Sequence, residues 1–329
     1  MTDEEEVTAR LLRLAVAVDD PPVNRVARVR SVVHREWRAG RRRRMIRRGA
    51  AAAALGLAAA LAIVFRLMSP AGVAVPANVP VVATGQLVQG TPVVRPRQHP
   101  DSRYPLAAST PIHEGDGVET DNASRASLQM IDGSSVRIDR ASRVGFPAPS
   151  VIEVMAGAIY VATSEGSRGL EVRTALGTVR DTGTRFEVRV GESSLRVRVR
   201  SGAVEVRRGS AVTAAPAGTE ATVTSAGVVT RPVRADGPDW MWTTELAPRF
   251  AMEGQTLQAF LEHIAGEQGW TVHYSDPQLA AAAARIVLHG SSIEGLQAEQ
   301  ALDVALAASG LQHTLREGRL VVSRPAATR

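Results

Sequence analysis

The chain has 329 residues, room for two small domains with connecting segments, since one domain commonly takes about 100 to 200 residues. It contains no cysteine, which excludes disulfide frameworks, thiolate zinc sites, haem attachment and cysteine nucleophiles. The formal net charge is +6, but residues 1–48 hold thirteen Arg against seven Asp plus Glu. Beyond residue 48 the charges therefore cancel, and the main body lacks the basic excess that direct nucleic-acid binding requires.

Residues 1–40 read as two short amphipathic helices. The first opens with Thr2 and Glu5 at capping-box spacing and places Leu11, Leu14, Ala15 and Val18 on one face. Pro21 and Pro22 break it. The second places Val26, Val29, Val33 and Trp37 along one stripe, with Arg25, Arg28, Arg35 and Arg38 mainly elsewhere. A segment this short cannot bury both stripes by itself, which predicts docking into the groove of a cytoplasmic protein. The competing expectation is a solvated basic face on anionic lipid, the role expected of Arg41, Arg42, Arg43, Arg44, Arg47 and Arg48.

The next stretch, 49–68, is predicted to be a single transmembrane helix. Gly49 to Phe65 carries no charge, and Leu67 and Met68 extend it if Arg66 snorkels to the far interface. The preceding arginine cluster stays on the cytoplasmic side, so residues 1–48 are expected inside and the C-terminal bulk outside. The bland alternatives are a cleaved signal peptide, which would have a much shorter basic region before its apolar core, and a buried Ala-rich helix of a soluble domain.

Residues 69–111 hold eight prolines and read as an extended spacer, with room for a first strand near Val81 or Leu87. From 112 to 230 the pattern changes to short runs of period two, among them Ser127 to Ile131, Val136 to Ile138, Glu171 to Arg173 and Leu195 to Val199. Asp132-Gly133, Gly191-Glu192, Ser201-Gly202 and Arg208-Gly209 supply the turns. In LRVRVR the arginines alternate with Leu195, Val197 and Val199, which predicts one core face and one wet face. A sandwich, a barrel or a solenoid-like stack of mainly antiparallel strands fits this spacing.

The run GDGVETDNASRASLQMIDGSSVRID (Gly115 to Asp139), the glycine at 157 in MAGAIYV, VRTALGTVRDTGTRFEVRV (Val172 to Val190) and VRVRSGAVEV resemble the periplasmic domain of the FecR family in order and spacing. That resemblance implies a transmembrane anti-sigma regulator. It would relay a signal from outside, iron-siderophore supply among others, to a cytoplasmic extracytoplasmic-function sigma factor held by Leu11, Leu14, Val18, Val26, Val29, Val33 and Trp37.

Residues 231–248 form a linker in which Trp240 and Trp242 either serve as contacts or pack against the C-terminal domain, packing being the expectation. Residues 249–329 alternate helix and strand signals. Leu257, Phe260, Leu261 and Ile264 share one helical face, Trp270 to Tyr274 and Ile286 to Leu288 read as strands, and Ala298 to Ala308 as a helix ended by Gly310. A hairpin follows around Glu317-Gly318. This small α+β domain is similar to the short N-terminal domain of secretins and TonB-dependent receptors, on TLQAFLEHIA, GWTVHY, IVLHG and EQALDVALAASGL. The resemblance implies docking onto other envelope proteins: a TonB-dependent outer-membrane receptor or part of the protein's own sensor.

Little in the chain suggests enzymatic chemistry. The seven histidines show no metal-ligand spacing, and no cofactor fingerprint is present. Asp181-Thr182-Gly183-Thr184 has the composition of an aspartic-protease turn, but Arg180 stands where such enzymes place an apolar residue and there is no second copy. In some FecR-like regulators the bond matching Gly183-Thr184 is broken by the threonine hydroxyl, so these two residues are candidates for self-cleavage; the bland reading is a plain turn. From a different functional class, the alternative is an envelope structural or assembly protein that docks through its C-terminal domain.

Overall fold

The computed structural model describes residues 79–163, 169–181, 183–248, 250–289 and 296–325. The two amphipathic helices, the arginine cluster and the predicted membrane helix of 49–68 lie outside these residues. Among the described residues no helix is long and apolar enough to cross a membrane.

The chain builds β1 (Val81–Gln89), β2 (Val93–Arg95), β3 (Tyr104–Pro105), β4 (Pro111–His113), β5 (Gly117–Glu119), β6 (Arg125–Met130), β7 (Ser135–Ile138), β8 (Arg143–Ala148) and β9 (Val151–Ala162). It continues through β10 (Glu171–Thr174), β11 (Gly177–Asp181), β12 (Arg185–Val190), β13 (Leu195–Ser201), β14 (Ala203–Arg208), β15 (Ala211–Pro216), β16 (Thr219–Thr224) and β17 (Gly227–Pro232). Pairing sorts them into two layers. One runs β4-β1-β6-β7-β9-β12-β13-β16-β17 and the other β3-β2-β5-β8-β9-β10-β11-β14-β15. All these pairs are antiparallel except β9 with β10.

Side-chain alternation makes the layers face each other. Phe186, Val188, Leu195, Val197 and Val199 from the first meet Val144, Phe146, Val172, Val179 and Val206 from the second in one apolar cluster, as in a sandwich core. Strand β9 belongs to both layers. Its inward residues are Ile152 and Val154 in the first half but Ile159 and Val161 in the second, a change of parity that needs one extra residue in the strand. The register shift between Arg143 and Val144 of β8 and the φ of +81° at Gly157 provide it. A Cβ at Gly157 would strike Ser142 Oγ and backbone, so glycine is required twice over.

The spacer expected over 69–111 gives way, from Val81 onward, to four strands of the β domain. β1 pairs with β6 from Ala83 to Gln89 and also with β4. Proline density suggested an extended spacer, yet Pro105 and Pro111 sit in short strands at the layer edges, where a missing N–H costs nothing. The β domain therefore starts before residue 112.

After β17 a strap crosses the outside of the first layer, with a 3-10 turn at Pro238–Trp240 and helix α1 (Met241–Thr244). The C-terminal domain follows with α2 (Leu257–Gln268), β18 (Thr271–Tyr274), α3 (Pro277–Ala283), α4 (Ala298–Ala308), β19 (Gln312–Arg316) and β20 (Arg319–Ser323). Thr256 caps α2 by accepting from Ala259 N, and Gly269 closes it with φ +75°. The sheet order is β18-β20-β19, and Phe260, Leu261, Leu302, Leu306, Leu320 and Val322 pack between helices and sheet. Two expectations change here. Residues 286–288 form only one bridge, Thr256 to Val287, and Pro277–Ala283 is an additional helix, begun by Asp276 accepting from Gln278 N with Pro277 at the first position.

Candidate functional site

The outer side of the first layer carries a continuous cross-strand row: Ser127, Arg137, Tyr160, Glu187, Arg198, Glu220 and Arg231 on β6, β7, β9, β12, β13, β16 and β17. The face expected to be wet is largely covered. Arg137, Tyr160 and Glu187 are at most 1% exposed and Arg198 and Arg200 at most 7%; the strap and α2 cover Arg137, Tyr160, Arg198 and Arg200, and Glu187 is held by Arg189 at 2.8 Å and Arg196 at 3.6 Å. Burying so many cations demands partners, and each has them. Arg198 pairs with Glu220 at 2.6 Å and Asp239 of the strap at 3.3 Å. Arg137 donates to the Thr243 carbonyl at 2.6 Å and pairs with Glu267 of α2 at 2.7 Å. Arg200 donates to the carbonyls of Ala235 at 2.9 Å and Glu267 at 2.8 Å. Arg125 joins Asp139 at 2.9 Å and Glu245 of the strap at 2.5 Å. Aromatic rings complete the cover. Arg200 lies 4.5 Å from the Trp240 ring, Arg137 lies 5.0 Å from that of Tyr160, and Tyr160 meets Trp240 edge-on at 6.1 Å.

Beside this cluster, the turn between β11 and β12 holds the predicted tetrapeptide. Asp181 is 3% and Thr184 2% exposed. Asp181 Oδ1 accepts from the Gly183 amide at 3.0 Å and from the Thr184 hydroxyl. The Thr184 amide donates to Thr163 Oγ1 at 2.7 Å, and Thr163 returns its hydroxyl and its amide to the Thr184 carbonyl at 3.0 and 3.1 Å. Gly183 is exposed with φ +100°, a left-handed conformation that favours glycine. Its carbonyl abuts Gly202, φ +77°, where any Cβ would collide with it. The arrangement presents a hydroxyl to a buried carboxylate beside a peptide bond whose N–H is held by Thr163 and whose carbonyl packs against Gly202. Thr182 is outside the described residues.

A cleft of about 340 Å³ opens between strap and C-terminal domain, with Glu245, His263 and Glu267 on its polar side and Phe250, Phe260 and Leu296 on its apolar side. His263 packs against Phe250 with ring centres 4.9 Å apart and planes tilted by 38°. Burial lowers its pKa below the ordinary 6.5, the Arg185 and Arg137 charges add to that, and Glu267 and a hydrogen bond to Pro248 oppose it. For Glu267 burial acts upward, but Arg137 and Arg185 bring the carboxyl below its ordinary 4.5. Both depressed values have the same sign: the unfolded or undocked state binds more protons, so their stabilisation is complete above the ordinary pKa and is lost as pH falls. Thermal unfolding followed from pH 8 to pH 4 is therefore expected to show the melting temperature falling once pH drops below about 6.5, with a second fall below about 4.5. A His263→Phe variant should lose the first step and keep the second.

Residues 116–205 match the FecR protein family. The chain carries a FecR domain. The matched stretch runs from β5 into β14 and contains the Asp181–Thr184 turn together with Arg137, Arg185 and Arg200. Two crystal structures of a candidate anti-sigma factor from Parabacteroides distasonis ATCC 8503, at 1.65 and 2.50 Å, are each 15% identical to this chain, with a TM-score of 0.35, covering 64% of this chain and 99% of theirs. Comparison with curated proteins gives no match.

Of the residues singled out in the sequence, Gly183 and Thr184 lie together in the FecR domain as described. Leu11, Leu14, Val18, Val26, Val29, Val33, Trp37 and Arg41, Arg42, Arg43, Arg44, Arg47 and Arg48 lie outside the described residues. Trp240 and Trp242 pack against Ala158 and Tyr160 of β9. Arg137, Tyr160, Arg185, Arg200 and Glu267 were not anticipated as a group. The available signal was the arginine alternation of LRVRVR next to a Trp-bearing linker, which together say that something covers that face. His113, His289 and His313 each meet a single carboxylate, Asp116 at 3.4 Å, Glu253 at 2.9 Å and Asp303 at 3.6 Å.

Proposed function

We propose that this protein is a single-pass inner-membrane anti-sigma signal transducer. The observation that carries the reading is the FecR-domain match over residues 116–205. Residues 1–48 hold an extracytoplasmic-function sigma factor through the Leu11, Leu14, Val18 and Val26, Val29, Val33, Trp37 stripes, with the helix at 49–68 crossing the membrane and the FecR and C-terminal domains in the periplasm. The C-terminal domain receives the signal of a TonB-dependent outer-membrane receptor. The buried hydroxyl-carboxylate pair of Thr184 and Asp181 supports self-cleavage as part of maturation. Asp181 takes the Thr184 hydroxyl proton, the oxygen attacks the Gly183 carbonyl carbon, and the carbon-nitrogen bond breaks as the Thr184 nitrogen gains the proton. Water then hydrolyses the ester, leaving a Gly183 carboxylate and a free Thr184 amino terminus.

The test is made with the full chain in its host membrane. A tagged protein should co-purify a sigma factor, Leu14→Asp with Val33→Asp should lose it, and transcription from that sigma factor's promoters should change in the variant strain. Recovery of envelope assembly proteins without a sigma factor, and unchanged transcription, would move the assignment to envelope assembly. Denaturing electrophoresis checks the cleavage: two fragments divided at Gly183-Thr184, retained in Thr184→Ser and absent in Thr184→Ala.

A further inference from the structure

The C-terminal turn of α2 ends on three guanidinium groups of the FecR domain. Arg200 Nη1 donates to the Glu267 carbonyl at 2.8 Å, in the last helical turn, where carbonyls lack intrahelical partners. Arg137 pairs with the Glu267 side chain at 2.7 Å. Arg185 lies over Gly266 so closely that a Cβ there would run into its Nη1. Gly269, which closes the helix, meets the Ala235 carbonyl in the same way and lies near Arg200 Nε. Two glycines thus let the negative end of the helix dipole sit directly on the cations.

Arg185 is the first residue of β12 and is peptide-bonded to Thr184. Its backbone pairs with Ala162, beside the Thr163–Thr184 hydrogen bonds. On the other side of the turn Gly183 is exposed and open. Asp181 and the Ala203 carbonyl, at 3.1 Å, hold the Thr184 hydroxyl, and Thr163 holds the Thr184 amide and carbonyl. We infer that the docked α2 turn, acting through Arg185, positions the Gly183-Thr184 bond, with Arg185, Gly266 and Glu267 as positioning residues. A signal that pulls the C-terminal domain away then alters this turn directly. The chemical consequence rests on the self-cleavage reading; the mechanical coupling does not.

The test compares wild-type full chain with Gly266→Val, Arg185→Ala and Arg185→Lys by hydrogen exchange and by fragment yield. Gly266→Val and Arg185→Ala should speed amide exchange over residues 183–188 about tenfold and leave Ile152 to Val154 in the opposite layer unchanged. Arg185→Lys, which keeps the cation, should restore most of the protection. Cleavage should slow at least about tenfold in the first two variants, since intramolecular attack is sensitive to small displacements. Unchanged exchange over 183–188 in Gly266→Val, with α2 amides deprotected, overturns the inference. An intact wild-type chain refutes the self-cleavage reading alone, and the exchange result then decides the coupling.

Discussion

Arg137→Ala is expected to destabilise the β domain and the C-terminal domain docked on it by about 3–5 kcal/mol, the range for removing one partner of a buried ion pair. Arg137 is fully buried and serves three groups: the Glu267 carboxylate, the Thr243 carbonyl and the Tyr160 ring. Without it the Glu267 carboxylate, 8% exposed, keeps its burial penalty and loses its nearest cation. Equilibrium urea unfolding measures the loss. A control distinguishes charge from packing: Arg137→Met with Glu267→Leu removes both charges and fills similar space, and it should be closer to wild type than Arg137→Ala. If the double variant is as unstable as the single one, the lost stability comes from shape and the Tyr160 contact, and the ion pair adds nothing net.

This ion pair also shows where sequence reasoning stops. Period-two alternation is local, so the inward positions of β13, Leu195, Val197 and Val199, could be read directly, and the four turn signals mark the turns after β6, β12, β13 and β14. Cover is not local. Nothing within LRVRVR says that α2, some seventy residues on, supplies the lid; a wet face and a face under a polar lid require the same residue types until the covering element is known. Glu267 gave no sign either, because a carboxylate on an amphipathic helix normally points to solvent. The prolines between 92 and 111 misdirected the reading for a related reason. Proline excludes a central strand but not an edge strand, and which strands are edges is decided by the whole layer. The turn at Asp181–Thr184 was legible through its motif, whereas its seating against Thr163 and Gly202 depends on pairings set by three other strands.

The strap can be tested at one side chain. Trp240→Ala should cost about 3–5 kcal/mol, the usual range for emptying a buried Trp site, although the residue lies in a segment that reads as linker. Trp240 is 1% exposed. Its ring meets Tyr160 edge-on and the Arg200 guanidinium at 4.5 Å, and its Nε1 donates to the Arg234 carbonyl at 2.9 Å. Truncation removes the cation-π partner of a buried arginine and opens a void against β9, while the next residue, Met241, is 58% exposed and its change to Ala should stay within about 0.5 kcal/mol. The loss should also alter the form of unfolding. The strap ties the C-terminal domain to the FecR domain, so calorimetry on Trp240→Ala should separate two transitions where wild type shows one. A single transition shifted by the full amount would mean that the α2 contacts with Arg137 and Arg200 suffice to hold the two domains together. Trp240 would then contribute packing energy without being the link between them.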